Sequence, residues 1–213
     1  SNKFGPITTL KSNHILVGSY DGDLFELSTD YKIKRIDKLA KLGLEVISLC
    51  PFDAGALIGT PKGGLFYYNM DSLERIDKNG EFSRKYIWNI TEHNGSAYIG
   101  TDNGLVVLDK DRVFSYPGSQ GQLSNSTTIT SCSIDSHFVY MTTENDGLWR
   151  MDIHTEEFDR IKVQSAVNSM KMFASCLIGK DELLIANHVG LSKVRFTRNS
   201  IELANYAVDF GDR

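Results

Sequence analysis

Short apolar runs alternate with turns rich in Gly, Asn and Asp along the chain. Ile15–Leu27 reads ILVGSYDGDLFEL, Ala56–Tyr68 reads ALIGTPKGGLFYY, Ala97–Leu108 reads AYIGTDNGLVVL, Val139–Met151 reads VYMTTENDGLWRM and Leu183–Val194 reads LLIANHVGLSKV. These are five versions of one pattern: an apolar strand, a small pair, a turn, Gly-Leu or Asp-Leu, and a second strand. The leucines that restart the chain after the turn are Leu24, Leu65, Leu105, Leu148 and Leu191, spaced by 41, 40, 43 and 43 residues. A period of about 42 lies in the range used by propeller blades.

Each unit parses into four short strands. In the third, Tyr86–Thr91 is the first strand, His93-Asn94-Gly95 a turn, Ala97–Thr101 the second strand and Asp102-Asn103-Gly104 the next turn, followed by strands at Leu105–Leu108 and Val113–Tyr116. Asn-Gly and Asp-Gly supply the positive-φ positions that tight hairpins need. Lys38–Glu45 is the only stretch with an arguable helical period, and it is too short to shape the fold. The expectation is all-β: a β-propeller of four-stranded antiparallel blades in one domain over 1–213, with repeats near 4–42, 43–82, 83–124, 125–167 and 168–210. The five repeats form either a five-bladed ring or an arc of a larger propeller. An arc would leave two sheet edges bare, which favours closure. The small pairs Gly18-Ser19, Gly59-Thr60, Gly100-Thr101, Thr142-Thr143 and Ala186-Asn187 fit inner strands that converge and leave little side-chain room.

The runs Tyr86–Leu105 and Gly121–Asp152 resemble the two-component regulator propeller repeat. That repeat has a Gly-Leu-Ser-Asn lead, an apolar strand, an acidic turn, Leu-Trp-Ile-Gly-Thr, Asn-Gly-Gly-Leu and a short strand. The third and fourth units match it specifically. The first two carry Lys11-Ser12-Asn13 and Pro51-Phe52-Asp53 at the acidic turn, the fifth has Ala186-Asn187 for Gly-Thr, and Tyr98 and Tyr140 replace the second-strand Trp. The resemblance implies a non-catalytic sensory domain of a bacterial two-component protein, lying in the periplasm, with oligosaccharides as ligands and the neighbouring domains of the parent sensor, commonly a histidine kinase, as partners. A homodimer is the expected assembly if such a sensor acts in pairs. Two other classes stay open: a cytoplasmic protein-interaction scaffold and a glycosidase-like enzyme.

Charge narrows the partners. The 213 residues carry 23 Lys and Arg against 27 Asp and Glu, a net charge of −4, with no basic run. That argues against nucleic acid, and against direct contact with an anionic membrane. No apolar stretch approaches the roughly 20 residues of a membrane span. Ser1-Asn2 reads as a tag remnant.

Candidate chemistry is sparse. The five histidines are scattered, and no metal-ligand spacing occurs, so neither a metal nor a cofactor is expected. Cys50, Cys132 and Cys176 fall in first strands and read as inert core residues. Glu92 and Asp135 occupy the acidic-turn position and read as hairpin caps. No catalytic motif is present, and a glycosidase would need two facing carboxylates about 5–5.5 or 6.5–9.5 Å apart. Binding is the better-supported role, at the turns between second and third strands and at the inter-blade loops 82–86 and 116–127. The candidate ligand contacts are Tyr20, Asp21, Lys62, Tyr86, Asp102, Asn103, Glu144, Asn145 and His188.

Overall fold

The computed structural model describes residues 3–76, 80–109, 112–116, 127–162, 171–197 and 201–207. They form five four-stranded antiparallel sheets, each a meander in chain order. The first is β1 (Phe4–Thr9), β2 (Ile15–Ser19), β3 (Leu24–Leu27) and β4 (Ile33–Ile36), and the second is β5 (Ser48–Phe52), β6 (Gly55–Thr60), β7 (Gly64–Tyr68) and β8 (Leu73–Ile76). The third is β9 (Ile87–His93), β10 (Ser96–Thr101), β11 (Gly104–Asp109) and β12 (Arg112–Tyr116). The fourth is β13 (Ile129–Ile134), β14 (Phe138–Thr143), β15 (Leu148–Asp152) and β16 (Phe158–Arg160), and the fifth is β17 (Met172–Gly179), β18 (Glu182–Asn187), β19 (Gly190–Phe196) and β20 (Ile201–Ala207). This is a β-propeller with five blades among the described residues. The chain divides into two compact units, Ser1–Ser115 with the first three sheets and Tyr116–Arg213 with the last two.

Within the first unit the sheets pack face to face, and the pleat decides which neighbour each residue meets. All six residues of β6 are buried, where a half-covered strand would alternate. Leu57 joins Leu65, Ile87 and Ile99 on the side of the third sheet. Ala56 and Ile58 join Leu16, Leu24 and Phe66 on the side of the first. The expected crowding at the small pairs is present. A Cβ on Gly18 would lie 2.9 Å from Val46 Cβ, and one on Gly59 would lie 2.6 Å from Ile87 Cγ2.

Gly95 is a different case. Its φ of 82° and that of Asn94, 52°, close the β9–β10 hairpin, and nothing lies within 4 Å of an added Cβ. Gly59→Ala is therefore expected to cost about 1–3 kcal/mol through overpacking, and Gly95→Ala about 1–2 kcal/mol through its dihedral alone. Urea denaturation separates the causes: a Cβ on Gly59 meets Ser48 Oγ before any other atom, so adding Ser48→Ala should recover part of the Gly59→Ala loss and none of the Gly95→Ala loss.

The second member of each small pair does more than save space. Thr60, Thr101 and Thr143 each donate their hydroxyl across the turn, to Gly64 O at 2.8 Å, Gly104 O at 2.8 Å and Gly147 O at 2.7 Å. Ser19 Oγ instead accepts from Asp23 N at 3.0 Å. The next residue fastens the chain that enters the sheet. Tyr20 N donates to Lys3 O, Asp102 N to Tyr86 O, Glu144 N to Thr128 O and His188 N to Lys171 O. The second sheet has Pro61 at this position, which carries no N–H.

Two expectations need correction. The Lys38–Glu45 stretch does contribute to the fold: α1 (Lys38–Lys41) is a single turn, yet it buries Leu39 completely, and Ala40 N donates to Gly22 O. No disulfide joins the three cysteines and two are buried, where desolvation pushes Cys50 up to about 11 and Cys132 to about 12. Cys176 is exposed. By strand register it repeats the place of Cys50, whereas Cys132 stands one place earlier in its strand and faces the other side of its sheet. Cys176 lies on the face of the fifth sheet turned away from the fourth. The capping assignments hold: Glu92 Oε1 accepts from Gly95 N at 2.7 Å, and Asp135 Oδ1 accepts from His137 N and Phe138 N, both at 2.7 Å.

One polar cluster sits between the first two sheets. Glu26, buried on β3, has His14 Nδ1 2.6 Å from Oε1 and accepts at Oε2 from the Tyr68 hydroxyl at 2.6 Å. Lys34 Nζ donates to Tyr68 Oη at 3.3 Å and to Met70 O at 2.6 Å. Burial pushes the Glu26 carboxyl upward, but the Tyr68 and His14 hydrogen bonds and the charge of Lys34 hold it below its ordinary value. Burial and the Glu26 carboxylate push the Tyr68 phenol upward.

Candidate functional site

The three turns of the first unit that join second to third strands leave from one end of adjacent sheets, since Val46 N at the entry to the second sheet donates to Ser19 O beside the first turn. Of the sequence candidates on this end, the structure brings Tyr86 and Asp102 together. Tyr86 N donates to Asp102 Oδ1 at 3.1 Å, and Asp102 N donates to Tyr86 O at 3.3 Å. Asn103 is exposed beside them, its N–H donating to Thr101 Oγ1 at 3.1 Å. Tyr20, Asp21 and Lys62 are exposed turn residues, with Lys62 at φ 53°. The loop 117–126 lies outside the described residues.

The residue that completes this place was missed by the sequence reading. Trp88 stacks on Tyr86 with ring centroids 4.3 Å apart and planes 21° from parallel, and it is 41% exposed. Its orientation comes from a β-bulge. In the β9–β10 ladder Ile87 pairs with Thr101 and Asn89 with Gly100, so Trp88 is the extra residue and its side chain is re-aimed. Ile87 on one side of it is fully buried in the core. The result is a flat aromatic surface with a carboxylate and an amide at its edge.

The second unit repeats the arrangement with different residues. Phe173 is the extra residue between Met172, which pairs with Asn187, and Ala174, which pairs with Ala186, and it is 54% exposed. Of the candidates here, Glu144 and His188 are joined through Lys171. Lys171 Nζ is 3.6 Å from Glu144 Oε1, and Lys171 N donates to His188 Nδ1 at 3.2 Å. Asn145 is an exposed turn residue.

A cleft of about 200 Å³ opens elsewhere in the first unit, against Phe52, Asp53, Tyr67, Glu74, Ile76 and Leu108. Burial and the nearby Asp53 carboxylate push the Tyr67 phenol upward. The cleft falls short of the roughly 300–1,000 Å³ of ordinary small-molecule pockets. Among the described residues no group of three or more His, Cys, Asp or Glu is placed to hold a metal ion. No helix among them is long and apolar enough to cross a membrane.

No protein-family model and no curated protein matches the chain. Solved structures do. The chain is similar over 99% of its length to 71% of a catalytically inactive variant of virginiamycin B lyase from Staphylococcus aureus, with quinupristin, at 14% identity and a TM-score of 0.73. It is similar over 96% of its length to 28% of the extracellular domain of the hybrid two-component system BT3049 from B. thetaiotaomicron, at 17% identity and a TM-score of 0.71. The corresponding domain of BT4673 from the same organism matches over 99% of this chain and 34% of its own, at 17% identity and a TM-score of 0.58. The chain thus spans about a third or less of these two-component domains. At these identities the likeness is one of fold: the chain is a β-propeller similar in structure to extracellular domains of two-component systems and to a propeller lyase.

Proposed function

We propose that the chain is a non-catalytic, ligand-sensing propeller of an extracytoplasmic signalling protein, and that the third blade receives a sugar ring on the Tyr86–Trp88 surface. The stacked, half-exposed aromatic pair beside Asp102 and Asn103 carries this reading. A flat aromatic face suits the C–H side of a pyranose, and an acid and an amide at its rim suit the ring hydroxyls. Asp102 spends one oxygen on Tyr86 N, which fixes its carboxylate against the ring pair and leaves acceptor capacity for a ligand hydroxyl. The similarity to extracellular two-component domains supports the extracytoplasmic setting and the role in signalling. The lyase similarity, at 14% identity, is one of fold and does not by itself carry an enzymatic reading.

The test is a thermal-shift screen against oligosaccharides, followed by titration with the glycan that responds. A ligand at 100 times its Kd should stabilise the fold by about 2.7 kcal/mol. Trp88 is one of only two tryptophans, and the other, Trp149, is 5% exposed, so binding should also move the exposed part of the intrinsic fluorescence. Trp88→Ala should fold normally and lose the shift, weakening binding at least tenfold. A shift that survives Trp88→Ala places the ligand elsewhere, and no shift with any glycan removes the carbohydrate reading.

A further inference from the structure

The cleft of about 200 Å³ lies wholly inside the first unit, between the second and third sheets, and strand register sets its composition. Tyr67 on β7 pairs with Leu57 on one side and with Glu74 on the other, so the phenol and that carboxylate stand next to each other on the face turned to the third sheet. Phe52 from the second sheet and Leu108 from the third, 7% and 2% exposed, supply its apolar walls together with Ile76. Asp53 follows Phe52 at the β5–β6 turn, with φ 50°, and its charge is close enough to push the Tyr67 phenol upward. The walls are therefore apolar and the mouth is acidic.

The two carboxylates keep their charge for a ligand. Among the described residues neither Asp53 nor Glu74 forms an ion pair. Glu74 Oε1 accepts from the Ser72 hydroxyl at 3.0 Å, which leaves Oε2 available. Arg75 also lines the cleft, but it pairs with Phe66 on the opposite face of the sheet. Its Nη2 reaches toward Gly64, 3.6 Å from where a Cβ on that residue would stand. Gly64 lies about 10 Å along β7 from Tyr67, so the guanidinium does not neutralise the acidic mouth.

We propose that this cleft is a binding site for a primary ammonium carried on an unbranched aliphatic stem. The stem lies against Phe52, Ile76 and Leu108, and the charge is held by Asp53, Glu74 and the Tyr67 ring. A volume too small for an ordinary small-molecule ligand suits a single flexible stem of about four carbons. Such stems cover apolar surface while their charged heads stay at the water boundary, where an aromatic ring and carboxylates both attract them. The carboxylates come from separate elements, a turn and β8, which suits a point charge with three rotatable donors better than a planar guanidinium fork. Free alkylamines and the lysine side chain of a peptide share this chemistry. The site has no residue in common with the Tyr86–Trp88 surface, so each can fail without the other.

Amide NMR spectra of the full chain, titrated with n-pentylammonium, test this. Saturable shifts are expected at Ala54, Gly55, Tyr67 and Leu108, weakening as salt is raised, and n-pentanol at the same concentrations should leave these amides in place. Asp53→Asn, which keeps a residue tolerant of positive φ, and Glu74→Gln should each weaken binding about threefold while keeping the wild-type melting profile. Nα-acetyl-lysine N-methylamide separates the sources: binding equal to that of pentylammonium assigns the site to a lysine of a peptide, and binding of the free amine alone assigns it to a small amine. The absence of saturable shifts, equal shifts with pentanol, or an affinity that either variant leaves unchanged overturns the proposal.

Discussion

A Phe82→Ala chain will melt far below the wild type, with a loss of about 3–5 kcal/mol. Phe82 lies in the connection between the second and third sheets, belongs to neither, and is fully buried. It packs in the cluster of Leu65, Ile87, Ile99 and Val106, which comes from both sheets, so its ring fills the space where the two faces meet. Its backbone is held as well, because Lys85 N donates to Phe82 O. Removing the ring leaves a cavity that two hydrogen-bonded sheets cannot collapse to fill. Phe82→Leu keeps most of the volume and should lose less than about 1.5 kcal/mol. Equal losses for the two variants in urea denaturation would show that the site tolerates the void and that the ring is not what joins the sheets.

Glu26→Ala is the second large loss, expected near 3 kcal/mol. The loss stays at the low end for a broken buried pair because Lys34 is 55% exposed and His14 21%, so both can recover water, and the Tyr68 hydroxyl keeps Met70 O at 2.9 Å as an acceptor. The same group makes stability depend on acid. The Glu26 carboxyl is lowered in the folded chain, and an unfolded glutamate titrates near about 4.3. Its contribution is therefore complete above that value and is lost as pH falls through the lower folded value. Melting temperature followed downward from pH 5 should fall less steeply in Glu26→Gln than in the wild type. Parallel acid limbs would mean that the cluster contributes no proton-linked stability.

The repeat and the four strands per unit were legible, because each rests on local alternation and on glycine-bearing turns. Trp88 was not. A bulge adds one residue to a strand without altering its apolar count, so Tyr86–Thr91 read as an unbroken run and the turned-out ring went unnoticed. The Glu26–Tyr68 bond joins residues 42 positions apart, one repeat length, and no local pattern marks it. Cys176 failed for a related reason: sequence assigns a residue to a face, but whether another sheet lies on that face is a property of its place in the array. Most of the nine candidate ligand contacts were correctly placed at turns, and the structure adds only which of them touch: Tyr86 with Asp102, and Glu144 with His188 through Lys171.

Pro61 has a consequence for cooperativity. Four sheets fasten their entering chain to their own turn, and the second, lacking that amide, holds its entry both to its own second strand, through Ile47 N on Gly59 O, and to the first sheet, through Val46 N on Ser19 O with Ala40 N on Gly22 O behind it. Opening the entrance to the second blade therefore breaks bonds that belong to the first. The two should exchange their slowest amides together as one foldon, so that two of the nominally equal repeats open as a built-in pair.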